Sequence, residues 1–451
     1  MLRTSPKIVV IGGGPGGCVA AGALASQGAE VVVLERERHP RFHIGESLQP
    51  AAFDYLERHF GIGHRFVDQG FARKYGAVYR WGETREPWSV LFDPRLEPDL
   101  PGLTEETLLS GGYEHSWNVD RAVFDRILAE TAAERGASVH ENVTVHEPIM
   151  EGDRVVGVLA SDANGQTVRY DADFVIDASG QNAFLGRKFK LLRQAPDLRC
   201  TATYAYFEGA GGVPGPLGRH VQYVVTVPEG WVWFIPTSKD VTGVGVVLRE
   251  RNRLSEARFA EILASAELPL EGAKMLPGPR GEPLGFHMDW SFACERFGGP
   301  GWMMVGDAAC FVDPILSGGV DFAIRGGFKA ADVLTRRFGV PGSEEPALLA
   351  DYETRVRTEF QAYLRLARYW YGNNRSVQGL FWEAAREIPT RDMYTPLRAF
   401  AYLVSGRYAR DKDFAIFDGV QERNMFRNLG VDREAVSSVL GGSASRYARS
   451  A

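Results

Sequence analysis

The sequence predicts an α/β fold with a strand–helix–strand unit at its start, an antiparallel sheet threaded through its middle and a helical region at its end. Three observations predict it. The chain opens with a buried-strand run, a glycine-rich turn, a helical stretch and a second apolar run in direct succession. A stretch near 142–176 alternates like an antiparallel meander and ends in Val175-Ile-Asp-Ala-Ser-Gly180. From about residue 345 the pattern becomes helical and rich in aromatic residues.

The first unit is the most specific. Lys7-Ile-Val-Val-Ile11 reads as a buried strand. Gly12-x-Gly14-x-x-Gly17 follows at once, then a helix to Gln27, a stop at Gly28 and a second strand ending at Glu35. Gly12 permits the tight turn, Gly14 lets the backbone approach a pyrophosphate, and Gly17 lets helix and strand pack closely. The helix start offers free N–H groups and a positive dipole end to phosphates. Glu35 stands where a carboxylate accepts from ribose hydroxyls, which disfavours a 2′-phosphate. Glu35 and its neighbour Arg36 join the three glycines as expected cofactor-binding residues. Only one such glycine fingerprint is present, so a resident nicotinamide has no second site.

With 451 residues and 45% hydrophobic composition the chain can bury a large core in two or three domains or one interleaved pair. The net charge is -6 and basic residues do not cluster, which argues against nucleic acid as a partner. Cys18, Cys200, Cys294 and Cys310 have no CxxC spacing, so neither a zinc site nor a redox dithiol is expected. Four cysteines in such a chain suit a reducing cytosol. Arg3 and Lys7 precede an uncharged run that loosely mimics a secretion signal. That run is better read as the first βαβ unit, giving a cytoplasmic expectation with no membrane span.

Three pieces resemble the glutathione-reductase-type FAD fold shared by aromatic hydroxylases and halogenases. They are Trp117-Asn-Val-Asp-Arg-Ala-Val-Phe-Asp125, the meander ending at Gly180, and Val305-Gly-Asp-Ala-Ala309. The resemblance implies that Arg121 helps hold the flavin and that Asp307 bonds its ribityl or phosphate part. A plain N-cap is the alternative for Asp307. It also implies a division into residues 1–195 (first part of the FAD domain, with a sheet insertion near 70–115), 196–290 (substrate sheet), 291–340 (second part of the FAD domain) and 341–451 (helical C-terminal region).

Within that fold, four motifs resemble flavin-dependent halogenases. Gly45-Glu46-Ser47 matches the strap near the flavin, with Ser47 a cofactor contact and Glu46 either functional or a cap for the next helix. Lys74-Tyr75-Gly76 lies in a run from Phe71 to Trp81-Gly82 that alternates like one strand. Trp231-Val232-Trp233-Phe234-Ile235-Pro236 places both indoles on one strand face. Ser317-Gly318-Gly319 begins a helix whose amides are expected to bind halide and flavin. The resemblance implies FAD used as FADH₂, with O₂ and chloride or bromide, and a separate flavin reductase as its source. Hypohalous acid then passes to Lys74, the two tryptophans screen substrate from flavin, and Ser317 hydrogen-bonds near Lys74.

Leu316 stands where tryptophan halogenases carry glutamate. The pattern therefore resembles phenol- or pyrrole-type halogenases of secondary-metabolite (antibiotic) biosynthesis, with chlorination the default and the aromatic substrate free or tethered to a carrier protein. An activated ring loses its proton readily after attack, so it needs a dedicated base less. Tyr369-Trp-Tyr-Gly-Asn-Asn-Arg375 and Phe381-Trp382 echo the C-terminal region of such enzymes, and residues 440–451 look disordered. The alternatives are an aromatic hydroxylase, a reductase resembling geranylgeranyl reductases, and a flavin-binding partner protein without turnover.

Overall fold

A six-stranded sheet carries the glycine-rich turn. Its strand order is Gly298–Gly299, Trp302–Met304, Phe174–Asp177, Lys7–Ile11, Glu30–Leu34 and Ser138–His140. All neighbours pair in parallel except the first two. Lys7–Ile11 sits centrally and is buried from Ile8 onward, as an apolar strand covered on both faces must be. The computed structural model describes residues 5–81, 86–249, 251–278, 281–372, 377, 379 and 396–418. Gly82, the Asn-Asn-Arg375 stretch, Phe381-Trp382 and 440–451 lie outside the described residues.

Helix Pro15–Ala25 starts directly after the turn, with Pro15 in its first turn. Gly12 has φ +103, and a Cβ at Gly17 would lie 2.1 Å from the Gly12 carbonyl oxygen. Both glycines are therefore required by the backbone path. The helix packs on Gly319–Arg337, the long helix from the second half of the chain. The meander forms as Thr144–Glu151, Arg154–Ser161 and Thr167–Asp171.

The second large sheet has eight strands. The order is Lys274–Met275, Thr201–Glu208, Val241–Leu248, Gly230–Pro236, Gln222–Val227, Gly76–Arg80 and Trp88–Leu91, with Gly285–Met288 also pairing on Thr201–Glu208. It is antiparallel except at one joint, where Gln222–Val227 runs parallel to Gly76–Arg80. The run from Phe71 to Trp81 is not one strand. Ala72–Lys74 pairs with Ser116–Asn118, while Gly76–Arg80 belongs to the eight-stranded sheet. Tyr75 is the seam, its N–H donating to His220 O (2.8 Å) and its carbonyl accepting from Phe92 N–H (2.9 Å). A Cβ at Gly76 would come within 2.1 Å of Val90 O, so only glycine lets the chain cross here.

The C-terminal helices Glu345–Gly372, Pro396–Val404 and Arg407–Asp418 cover the main body. Trp370 stacks on Trp81 with centroids 4.5 Å apart, and Tyr352 donates to Met304 O (2.8 Å). Among the described residues no helix is long and apolar enough to cross a membrane, and no group of side chains could hold a metal ion. All four cysteines are free and buried.

Candidate active site

One cleft of about 320 Å³ runs from the glycine-rich turn to the tryptophan strand. Its walls include Gly12, Gly14, Glu35 and Arg36 at one end, Ser47, Arg121 and Asp307 in the middle, and Trp231, Trp233, Ser317 and Gly319 at the other. Residues separated by hundreds of positions thus share one elongated space.

At the first end, Glu35 is nearly fully buried. Its Oε2 accepts from Gly13 N–H (2.8 Å) and its Oε1 from Glu37 N–H (2.9 Å). Burial pushes its carboxyl upward, but Arg41 and these N–H donors outweigh burial and leave it below the usual range. Arg41 bridges Glu35 (3.2 Å) and Asp125 (3.0 Å), and Asp125 in turn takes both Nε (2.8 Å) and Nη2 (3.0 Å) of Arg121. Arg121 spends its remaining nitrogen on the carbonyls of Ile44 (2.8 Å) and Gly45 (3.2 Å). It therefore holds the strap in place and presents its charge to the cleft wall. Asp125 closes one of the motifs legible in the sequence, but its part in this ladder, and that of Arg41, becomes visible only when the fold joins them. Arg36 sits at the rim, largely exposed, 3.5 Å from Glu37.

These residues fit a dinucleotide flavin. No side chain caps the start of helix Pro15–Ala25 at Gly14. A Cβ on Gly14 would meet nothing nearer than Arg41 Nη2 at 3.8 Å, so backbone N–H groups face open space suited to a pyrophosphate. Asp307 lies in the turn Gly306–Ala308, whose cap is Val305, so the N-cap alternative is set aside. Burial raises its carboxyl to about 7 against the lowering influence of Gln181 and Arg121. A half-buried carboxyl lining the cleft is well placed to accept from flavin hydroxyls. Glu46 is likewise not a helix cap. The helix Pro50–Phe60 is capped by Gln49, whereas Glu46 accepts a 2.5 Å hydrogen bond from Tyr206 Oη, and burial raises its carboxyl to about 7.

At the other end, Trp231 and Trp233 lie on strand Gly230–Pro236 with ring centroids 5.9 Å apart. Trp233 lies flat over Gly245 on the paired strand, since a Cβ there would meet its ring at 2.1 Å. Trp231 Nε1 donates to Tyr371 Oη (2.8 Å), and Tyr371 donates to Asp313 Oδ2 (3.0 Å). Asp313 also accepts from Trp290 Nε1 (3.1 Å) and Ile315 N–H (2.9 Å). The last turn of Glu345–Gly372 thus reaches the tryptophan wall through Tyr371. In the sequence this segment stands out as an aromatic stretch that echoes the C-terminal region of phenol- and pyrrole-type halogenases, with no sign of which residue it meets.

Ser317 has a left-handed backbone (φ 54) before the helix Gly319–Arg337. No side chain caps that helix at Gly318, and its positive end faces the cleft at Gly319. Ser317, expected to hydrogen-bond near Lys74, is instead tied to Gln222. Ser317 Oγ donates to Gln222 Oε1 (3.0 Å), which also accepts from Ser47 Oγ (2.5 Å). Lys74 Nζ donates instead to the strap carbonyl of Leu48 (3.1 Å) and sits 5.3 Å from the Phe92 ring centroid. Each lies next to an acceptor of its own, and an ammonium has nothing to accept with. Gln222 gave no signal in the sequence.

Lys74 stands behind the strap rather than in the cleft wall. It is 2% exposed, and no carboxylate pairs with it among the described residues. Burial alone lowers its ammonium to about 7.

Comparison with known proteins agrees with this geometry. A family model described as tryptophan halogenase matches residues 98–419, and one described as FAD dependent oxidoreductase matches residues 7–186. The flavin-dependent halogenase otaD of Aspergillus carbonarius is 31% identical over 350 residues, covering 72% of this chain and 66% of that protein. The sulochrin halogenase gedL of Aspergillus terreus is 30% identical over 357 residues, covering 72% of this chain and 62% of that protein. The chain therefore spans just under two thirds of the length of these two curated relatives. The solved structure of the myxobacterial chondrochloren halogenase CndH, an FAD-dependent halogenase, superposes with a TM-score of 0.73 at 28% identity over 92% of both chains. Sequence, fold and cleft converge on one conclusion: the chain belongs to the tryptophan halogenase family of flavin-dependent halogenases.

Proposed function

We propose that this protein halogenates an electron-rich aromatic ring, a phenol or pyrrole free or carried on a carrier protein, with chlorination the default. The overall balance is ArH, halide, FADH₂, O₂ and a proton giving ArX, FAD and two waters. FADH₂ from a separate reductase would, when held by the glycine-rich turn, Glu35, Arg121 and Asp307, supply the reducing equivalents by which O₂ and halide give hypohalous acid. The chain's own residues do the rest. The N-terminal end of Gly319–Arg337, with the amides of Gly318 and Gly319, seats the halide beside Ser317. Trp231 and Trp233 wall the cleft and keep the ring from the flavin, which disfavours hydroxylation. Lys74 receives the oxidised halogen and directs it to the ring.

The observation that carries this reading is Lys74: a buried amine without a carboxylate partner among the described residues, one strap away from the flavin cleft. Lysine is rarely buried unpaired. With its value near 7, the amine that captures halogen and the ammonium that hydrogen-bonds hypohalous acid are both populated at neutral pH. Leu316 is buried and offers no carboxylate next to Ser317, which favours rings that need no dedicated base over free tryptophan.

The test is mass analysis after incubation with FAD, NADH, a flavin reductase, O₂ and bromide, using phenols, pyrroles and carrier-bound aryl groups. A brominated product with the two-line isotope pattern, absent with Lys74→Met although FAD still binds, is expected. Hydroxylated product that forms without halide, or full halogenation by Lys74→Met, overturns the proposal.

A further inference from the structure

Three polar atoms lie beside Lys74 with nothing to bond to. Ser116 and Asn118 are both 0% exposed. Among the described residues, Ser116 Oγ and both side-chain atoms of Asn118, Oδ1 and Nδ2, have no hydrogen-bond partner. Buried polar side chains are almost always satisfied by protein or by ordered water, because each orphan costs about 1–3 kcal/mol. Three together on neighbouring rungs of one strand make a polar spot that the surrounding protein groups leave unsatisfied.

Strand pairing shows where they face. Lys74 is directly opposite Ser116, and Ala72 is opposite Asn118. On the far side of the same strand, Asn118 is opposite Ser47, and Leu48 N–H donates to Trp117 O (3.2 Å) while Val119 N–H donates to Glu46 O (2.8 Å). Opposed residues share a face, and so do residues two apart. Ser47, Asn118, Ser116 and Lys74 therefore occupy one face, in two rows about 7 Å apart along the strands. Ser47 lines the flavin cleft and Lys74 does not. The unpaired Asn118 and Ser116 lie between them.

We propose that Asn118 and Ser116 form, with Lys74, a polar relay site that accepts a small neutral hydrogen-bonding oxidant, hypohalous acid, as it passes from the cleft to the lysine. This rests on the halogenase reading above. The chemistry of the site suits such a guest. Asn118 offers a carbonyl acceptor and two N–H donors, Ser116 a hydroxyl that does both, and Lys74 an ammonium or an amine. Hypohalous acid carries one O–H to donate and oxygen lone pairs to accept. No bond is made or broken at Asn118 or Ser116; they lend hydrogen bonds that water supplies when the oxidant is absent. A carboxylate or thiol in their place would repel halide or be oxidised, whereas amide and hydroxyl are far less reactive toward the oxidant.

Two measurements test the proposal. A crystal structure of the FAD-loaded protein is expected to show ordered water within hydrogen-bond distance of Asn118, Ser116 and Lys74 Nζ. A dry site, with these side chains repaired onto neighbouring protein groups, overturns it. In turnover, Asn118→Leu is expected to lower halogenated product at least tenfold, while FAD affinity and the formation of oxidant captured by a thiol trap stay within twofold of wild type. Ser116→Ala, a smaller change, is expected to lower product severalfold by the same pattern. Product retained by both variants, or loss of FAD affinity in step with product, overturns it. Should the wild-type protein halogenate no ring, the function proposal fails by itself, and the water structure still decides whether the site is the wet one proposed.

Discussion

Replacing Lys74 by methionine should make the protein more stable at neutral pH while removing its activity. Lys74 is wholly enclosed, and burial lowers its value from 10.5 to about 7. Between those values the unfolded chain holds a proton that the folded chain lacks, so stability rises with pH across that window. At pH 7 the burial of this lysine costs about 4 kcal/mol, taking 1.36 kcal/mol for each tenfold. At pH 9 the cost falls to about 2 kcal/mol by the same relation. Methionine fills similar volume without a charge but leaves the Leu48 carbonyl without its donor, a loss of about 1 kcal/mol. Lys74→Met should therefore exceed wild type by about 3 kcal/mol at pH 7 and by about 1 kcal/mol at pH 9. Urea unfolding of the FAD-loaded proteins at the two pH values measures this, with the difference read from midpoints at constant m. A variant less stable than wild type at pH 7, or a gap that does not narrow with pH, would falsify the claim that desolvation sets the state of this amine.

Three further outcomes follow from the glycines and the tryptophan wall. Gly14→Ala adds a methyl to open space and should leave thermal stability nearly unchanged while weakening FAD binding, measured by flavin fluorescence titration; Gly17→Ala drives its Cβ into the Gly12 carbonyl at 2.1 Å and should cost the fold itself, read as lost soluble protein. Gly245→Ala places a methyl against the Trp233 ring and, like Trp233→Ala, should raise hydroxylated or peroxide-releasing turnover relative to halogenation; Trp233→Ala should also lose about 3–5 kcal/mol of stability. An unchanged product ratio in both variants would refute the screening role of that ring.

The cofactor end was legible because glycine spacing constrains the backbone directly. Gly12, Gly14 and Gly17 announce a turn whose geometry admits little else, and Glu35 closes it. The tryptophan strand was legible for a similar reason, since alternation of two indoles over one short strand fixes their common face. Lys74 was found through its neighbours, and Gly76 proves to be a steric requirement of the seam. The seam itself was hidden: alternation continues across Tyr75, so nothing local reveals that the two flanking strands join different sheets. Partners that come from far along the chain were hidden for the same reason. Gln222, Tyr371 and Asp313 are ordinary residues until the fold carries them to Ser47, Trp231 and Trp290. Glu46 reads from sequence equally as a strap residue or as a cap for the helix that follows, and Tyr206, on the eight-stranded sheet, captures it.

The single parallel joint between Gln222–Val227 and Gly76–Arg80 has a consequence for inheritance and for protein engineering. The eight-stranded sheet is assembled from two stretches of chain that are far apart in sequence. A graft that transplants only the later stretch from a cousin would mate a foreign edge with the native Gly76–Arg80 and disturb the seam next to Lys74. Recombination that preserves the seam must therefore move both stretches as one cassette.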